Sequence, residues 1–150
     1  MRGENPMVMA RMRSGYAVIG DAQWLPGYCV LLSDVPGADH LTDLDWNSRA
    51  RFLFDLALLG EAIETVCRPN GLRRINYEVL GNCLSVLHGH VFARYVWEPA
   101  DKASGEISRY PSQLRNDPAH AYSDAAHGPL RAAITQELTR LVAEAYPIIL

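Results

Sequence analysis

Two histidines separated by a single residue, His88 and His90, are the groups in this chain best suited to chemistry. If this segment is a β-strand, both side chains point to the same side of the sheet, and Phe92 and Arg94 share that face. Two imidazoles beside a guanidinium suit a phosphate group, because one imidazole can attack phosphorus while the other groups stabilise negative charge. The chain has only five histidines, so a pair at this spacing is informative.

The pair leaves two kinds of site open. A neutral imidazole is plentiful near pH 7 and can act as a nucleophile toward phosphorus. Histidine is also a common metal ligand, so His88 and His90 could equally be the ligands of a metal-dependent enzyme. No cluster of His, Cys, Asp or Glu elsewhere in the sequence supplies an obvious third ligand, and we therefore assign no metal-binding residue.

The residues around the pair resemble the signature of the histidine triad (HIT) family of nucleotide hydrolases and transferases. That signature has an Asn on a strand, a Gly-Asn or Gly-Gln turn, and then roughly His-x-His-x-His-x-x-Pro-Arg-Tyr. The matching residues here are Asn76, Gly81-Asn82 and Arg94-Tyr95. The Arg-Tyr pair begins four residues after His90, which makes His90 the last His of the signature and His88 the middle one, the nucleophile of the family.

The triad is incomplete, because Val86 occupies the place of the first His. Valine cannot donate a hydrogen bond or carry charge, and loss of one charge-stabilising donor can cost roughly 10²–10³ in rate. The resemblance therefore implies either an enzyme or a nucleotide-binding protein with little or no catalysis. A second alignment, with His88 first, His90 as nucleophile and Phe92 third, is less favoured because the Arg-Tyr pair then lies two residues too close.

The resemblance also implies a reaction. The expected substrate is a dinucleoside polyphosphate, such as diadenosine tetraphosphate, or a related nucleotide conjugate. His88 would attack its α-phosphate, and water or another acceptor would then resolve the covalent nucleotidyl-histidine. No tightly bound cofactor is expected, although Mg²⁺ could accompany a polyphosphate substrate. HIT proteins are commonly homodimers, so the resemblance implies a homodimer here.

Four further residues are implied to bind the nucleotide. Asp21 would hold the ribose, because a carboxylate with two acceptor oxygens fits a vicinal diol, although it could simply cap a turn. Asn76 would also hold the sugar; its place in an apolar strand is unusual, and a bond across the sheet is the alternative. Asn82 and the adjacent Cys83 would contact phosphate. Trp24 could stack on a base, but filling the core is the favoured interpretation.

The order of elements predicts an α+β fold with an antiparallel sheet. Apolar periodicity and turn residues predict strands, a long helix, two more strands and a closing helix that begins near Pro129 and ends at Pro147. The predicted ranges are 16–19, 28–32, 43–67, 74–80, 87–95 and 129–146. This order also matches the HIT core, which the chain resembles from about Asp21 to Tyr95.

Three segments follow from this assignment: a flexible N-terminal arm (1–15), a HIT-like core domain (16–97), and a C-terminal extension (98–150) whose closing helix packs on the core. An edge strand within the arm is the alternative for its structure. Residues 98–126 show no sustained period and are long for an unstructured loop. We therefore expect them to wrap the protein surface or a partner subunit.

Composition narrows the function classes. The 150 residues carry a net charge of -3 and a pI of about 5.9, which gives no basic footprint for nucleic acid. The three cysteines are widely spaced and form neither a disulfide framework nor a paired zinc motif. The sequence has no signal-peptide core and no apolar run near the ~18 residues of a membrane span. We therefore expect a cytoplasmic protein that binds a small nucleotide rather than nucleic acid or membrane.

Overall fold

The computed structural model describes residues 5–149, with side chains as far as residue 146. Five strands form one antiparallel sheet: β1 (Val8–Arg11), β2 (Gly15–Ile19), β3 (Cys29–Ser33), β4 (Leu72–Glu78) and β5 (His88–Tyr95). Their order across the sheet is β1-β2-β3-β5-β4. The helices are α1 (Trp46–Cys67), α2 (Ala100–Ala103), α3 (Ser112–Arg115) and α4 (Asp124–Ile149). The predicted α+β fold with an antiparallel sheet is confirmed.

Helix α1 covers one face of the sheet and thereby decides which side of β5 is free. A side chain at Gly89 would place its Cβ 2.7 Å from Leu56 Cδ1, so any larger residue would force the Leu56 side chain of α1 to shift. Val91 and Ala93 are fully buried on the same side. Because side chains alternate along a strand, the histidines at either side of Gly89 point away from α1.

The start of α1 differs from the predicted position 43. A 3₁₀ turn spans Leu41–Asp43, and α1 begins only at Trp46. Asp45 caps the helix, because its carboxylate accepts a hydrogen bond from the Ser48 amide at 2.7 Å. Asp43 instead accepts hydrogen bonds from amides of the preceding loop. Of these two acidic residues, only Asp45 caps the helix.

The N-terminal segment contains the edge strand that the sequence left as an alternative. Val8–Arg11 pairs with β2, and residues 1–4 of the predicted arm lie outside the described residues. The buried Asp55 carboxylate on α1 accepts hydrogen bonds from the Ser14 amide and hydroxyl at 2.8 and 2.6 Å, and from the Tyr146 hydroxyl. This carboxylate therefore joins the β1–β2 turn, α1 and α4.

Both predicted ends of the closing helix were wrong. Helix α4 begins at Asp124, five residues before Pro129, because the Ser123 hydroxyl caps its first turn by accepting from the Ala126 amide at 3.2 Å. The helix also continues through Pro147 to Ile149. A proline near a helix end removes a single amide donor, which costs little when few turns follow. Within residues 5–149, no helix is long and apolar enough to cross a membrane.

Candidate functional site

The structure brings His88 and His90 together at the start of β5. Their ring centroids lie 4.9 Å apart in an edge-on arrangement. In the sheet, His90 is the direct neighbour of Val30 on β3 and of Glu78 on β4. The two imidazoles and the Glu78 carboxylate therefore lie on the sheet face that α1 does not cover.

His88 is held in one tautomer by the backbone. Its side chain is only 6% exposed, and its Nδ1 lies 2.6 Å from the carbonyl oxygen of Val86. A carbonyl oxygen can only accept a hydrogen bond, so Nδ1 must carry the hydrogen. In the neutral imidazole the lone pair then resides on Nε2, which is the form that a nucleophile requires.

His90 is positioned by a tyrosine that the sequence did not single out. The Tyr28 hydroxyl lies 2.8 Å from Nδ1 of His90, and the Tyr28 ring stacks on Phe92 with centroids 4.3 Å apart. Burial, with a smaller effect of the Asp21 carboxylate, raises the pKa of Tyr28, so the hydroxyl keeps its hydrogen. Burial and then the neighbouring His88 lower the pKa of His90. A neutral His90 that accepts from Tyr28 at Nδ1 has Nε2–H left to donate.

A cavity of about 460 Å³ opens on this face, within the size range of small-molecule sites. Its wall is formed by the loop after β2, by β4, by β5 and by the C-terminal extension. Charged groups in the wall are three carboxylates, with Arg115 as the one Arg or Lys side chain among the described residues that line it. The charged and polar residues that line the cavity include Asp21, Tyr28, Glu78, His90, Arg115 and Asp117.

Part of the C-terminal extension belongs to this wall. Residues 98–126 form α2, α3 and two 3₁₀ turns rather than a loop without structure. Ile107, Ser108 and Arg115, the last residue of α3, line the cavity. The far end of the segment is joined to the loop after β2 by an isolated bridge between Ala22 and Ala121. The segment thus wraps the chain's own surface, as one of the two expectations held.

Arg94 is not a phosphate ligand in this structure, contrary to the expectation that it would stand beside the imidazoles. It is 1% exposed and pairs with Glu98 at 2.9 Å, and it also donates to Asn76 Oδ1 at 2.7 Å. Tyr110 donates to the same carboxylate at 2.7 Å. Burial opposes ionisation of Glu98, but hydrogen bonds from Arg94, Tyr110 and the Tyr95 amide together lower its pKa. This buried group anchors the extension to the sheet.

The other predicted binding residues are dispersed. Asp21 lines the cavity, as does His90, and the contact of Asp21 with a sugar stays a prediction. Asn76 does not line it; the Asn76 side chain accepts from Arg94 and borders a separate cavity of about 240 Å³, so the alternative of a structural bond across the sheet describes it better. Asn82 and Cys83 are exposed in the loop between β4 and β5 and do not line the large cavity. His88 lies beside His90 without lining it.

Trp24 belongs to the core and to the cavity wall. It is buried and packs at centroid distances of 5.9, 5.8 and 6.2 Å against Tyr28, Phe92 and Tyr110. The favoured interpretation, a core residue, agrees with this packing, and the same ring also lines the cavity.

Two neighbouring histidines could be two of the ligands of a metal ion. In the part of the chain that the structure describes, no three His, Cys, Asp or Glu side chains are grouped so that they could hold a metal ion. The three cysteines are free; Cys29 and Cys67 are buried and Cys83 is exposed. The metal-dependent alternative therefore gains no third ligand from the described residues.

Neither a protein-family model nor a curated protein sequence matches the chain. Solved structures do. A histidine triad protein from Marinobacter aquaeolei VT8 is 22% identical with a TM-score of 0.71, covering 89% of each chain. A histidine triad (HIT) protein from Sinorhizobium meliloti 1021 is 18% identical with a TM-score of 0.73, covering 87% of this chain and 88% of that one. A hypothetical histidine triad nucleotide-binding protein from Sulfolobus tokodaii strain 7 is 14% identical with a TM-score of 0.63, covering 90% and 85%.

The chain therefore has the fold of the histidine triad proteins, as the resemblance around His88 and His90 implied. The likeness extends well beyond the segment from Asp21 to Tyr95 on which the resemblance was based. At these identities it establishes the fold, and the chemistry must be argued from the site itself.

Proposed function

We propose that this protein binds a nucleotide in the 460 Å³ cavity and acts at its α-phosphate through a covalent nucleotidyl-histidine, as a hydrolase or nucleotidyl transferase. Its substrate would be a dinucleoside polyphosphate, of which diadenosine tetraphosphate is the type, or a related nucleotide conjugate. The fold supports the nucleotide, since one neighbour of this fold carries the name of a nucleotide-binding protein. Mg²⁺ would enter with a polyphosphate substrate.

One observation carries the proposal: the hydrogen bond from Nδ1 of His88 to the carbonyl oxygen of Val86. It leaves the Nε2 lone pair free for attack on phosphorus. The contact uses the backbone of residue 86, so replacing the first His of the triad by valine leaves it intact. The Val86 side chain, 45% exposed, takes no part in orienting His88.

The neighbouring groups fit supporting roles. His90, neutral and with its Nδ1 accepting from Tyr28, would donate Nε2–H to a phosphate oxygen as negative charge develops. Asp21 would accept from the ribose hydroxyls at the cavity wall. Asn82 and Cys83 would reach phosphate only through movement of their exposed loop. The homodimer implied by the resemblance stays a prediction.

Turnover of diadenosine tetraphosphate, ATP and an adenosine phosphoramidate, followed by chromatography, tests the activity. Wild type should convert at least one of them, and His88→Ala should not. The preferred substrate would show whether the leaving group is a phosphate chain or an amine. Equal rates in wild type and His88→Ala would contradict the proposed nucleophile.

A binding protein with little catalysis is the second candidate, and the observation that favours it is the valine itself. An aliphatic side chain at position 86 supplies no charge or donor to the transition state. In that case wild type would bind AMP by calorimetry without turnover, and Val86→His would create activity. Activity of wild type that Val86→His does not raise would exclude this candidate.

A further inference from the structure

Hydrolysis of a nucleotidyl-histidine is accelerated by a group that takes a proton from the attacking water, and neither imidazole of this site can serve. On His88, Nε2 would be bonded to phosphorus and Nδ1–H donates to the Val86 carbonyl. On His90, Nδ1 already accepts from the Tyr28 hydroxyl, and Nε2 carries a hydrogen. The proton acceptor must therefore come from elsewhere in the cavity wall.

Three carboxylates line the cavity: Asp21, Glu78 and Asp117. Asp21 and Asp117 are exposed, and Asp117 caps a 3₁₀ turn by accepting from the Ala119 amide at 2.9 Å. Glu78 differs from both because it is partly buried on the sheet, directly opposite His90. Within the described residues, no hydrogen bond or ion pair occupies its carboxylate.

We infer that Glu78 is a catalytic residue, the general base that activates water for hydrolysis of the nucleotidyl-His88 intermediate. The inference rests on the proposed function and adds the group that makes the protein a hydrolase. A transferase without such a base would need an acceptor that arrives already deprotonated or nucleophilic.

The water oxygen forms a bond to phosphorus, and one water proton passes to a carboxylate oxygen of Glu78. The bond between phosphorus and Nε2 breaks, and its electron pair returns to Nε2 of His88. The products are a nucleoside monophosphate and His88 in its original tautomer, while Glu78 returns its proton to solvent.

The surroundings of Glu78 favour proton uptake. Burial raises the pKa of Glu78 above its ordinary value, and the carboxylate of Glu106 adds to this effect. Arg94 and Arg115 act in the opposite direction without outweighing burial. Charged or titratable groups that face this carboxylate, or lie near it across the cavity, are Asp21, Tyr28, His90, Arg94, Glu106, Arg115 and Asp117. A raised pKa makes a carboxylate a better general base near neutral pH.

Glu78→Gln separates the two chemical steps. Rapid-quench mixing with diadenosine tetraphosphate would follow formation and decay of the adenylyl-enzyme by intact mass. The variant should form the adduct, because attack by His88 does not use Glu78, and decay should slow by roughly 10²–10⁴-fold, the usual contribution of a general base. Glu61→Gln is the matched control, since Glu61 is exposed on α1, on the other side of the sheet.

Each outcome decides the matter. Adduct that decays in Glu78→Gln as fast as in wild type would overturn the role of Glu78 while leaving the nucleophile intact, and so would a variant that forms no adduct. Absence of both turnover and adduct in wild type would overturn the proposed function itself. If Glu78→Gln fails to fold, the decay rate of the wild-type adduct decides, because a rate independent of pH between about 4 and 7 excludes a carboxylate base.

Discussion

Strand β5 carries His88 and His90 at one end of a face and Arg94 at the other. The same alternation in the sequence places all three side chains on that face, but the two ends have different roles in the structure. At the first end, two imidazoles stand by a cavity, and among the described residues neither Nε2 atom has a hydrogen-bond partner. At the other end, Arg94 is closed off from solvent by Glu98 and Tyr110. Residues on the same face of a strand therefore need not belong to the same site, because burial and existing hydrogen bonds determine which polar groups remain free for a ligand.

The largest difference between the ends should be in activity. His88→Ala should reduce turnover by roughly 10⁴-fold or more, as expected for removal of a nucleophile. Its free energy of unfolding should fall by less than in Arg94→Ala, since the lost contacts are a carbonyl hydrogen bond and packing against His90, and no charge is left unpaired. Steady-state kinetics and urea unfolding of the same preparations would measure both. His40→Ala, at an exposed histidine, should change neither; a loss of activity there would indicate unspecific damage.

Arg94→Ala should show the opposite pattern. Removing one partner of a buried ion pair leaves an uncompensated charge on Glu98, which typically costs about 3–5 kcal/mol. Urea unfolding gives the number. The matched control is Arg68→Ala, because Arg68 pairs with Glu64 at the same i,i+4 spacing in solvent and should cost only about 0.3–0.5 kcal/mol. Similar losses in both variants would contradict the structural role of Arg94.

Two tyrosine hydroxyls test the comparison at the level of one atom. Tyr110→Phe should destabilise the protein by about 2 kcal/mol, because it removes a buried hydrogen bond to a carboxylate, and should leave turnover near wild type. Tyr28→Phe removes a hydrogen bond to a neutral imidazole worth about 1 kcal/mol, and turnover should fall roughly fivefold as His90 loses its fixed tautomer. An effect on turnover from Tyr110→Phe as large as that from Tyr28→Phe would break the distinction between the ends.

The smallest effect concerns pH. The pKa of His90 is lowered in the folded state, so the unfolded chain binds the proton more readily. The corresponding stability is fully present above the unfolded pKa of about 6.5 and is lost as pH falls through the folded pKa. Urea midpoints measured from about pH 8 to pH 5 should decline more steeply in wild type than in His90→Gln. Unchanged steepness in His90→Gln would exclude this linkage, and His40→Gln should retain the wild-type dependence.

Local spacing was sufficient for part of this site. Alternation at period two placed His88 and His90 on one face, and the pattern of apolar runs predicted the order from β2 to β5 and the closing helix, without the short helices α2 and α3. The same alternation places Glu78 on the face of β4 that carries Asn76, so period two also carries a signal for Glu78. Ser123 also indicates where α4 begins, since serine is a preferred N-cap residue.

The remaining features depend on contacts that local patterns do not carry. Tyr28 and His90 are separated by 62 positions, and nothing in the spacing around Tyr28 predicts their hydrogen bond. Arg115 lines the cavity from the end of α3, in a segment without apolar periodicity, so nothing in the local sequence pattern predicts its place there. The sequence suggested that the Arg94 guanidinium could help to stabilise a phosphate. In the structure it is buried against Glu98, which also binds Tyr110, and both of these residues lie beyond the strand.

The most direct test of the account is intact-mass analysis of wild type, His88→Ala and His90→Ala, quenched within the first turnover of diadenosine tetraphosphate. The account predicts a mass increase of one adenylyl group on wild type, carried by His88 in peptide mapping. It predicts no adduct on His88→Ala and a slowly formed adduct on His90→Ala. An adduct on His88→Ala, or one that maps to His90, would contradict the assignment of His88 as the nucleophile.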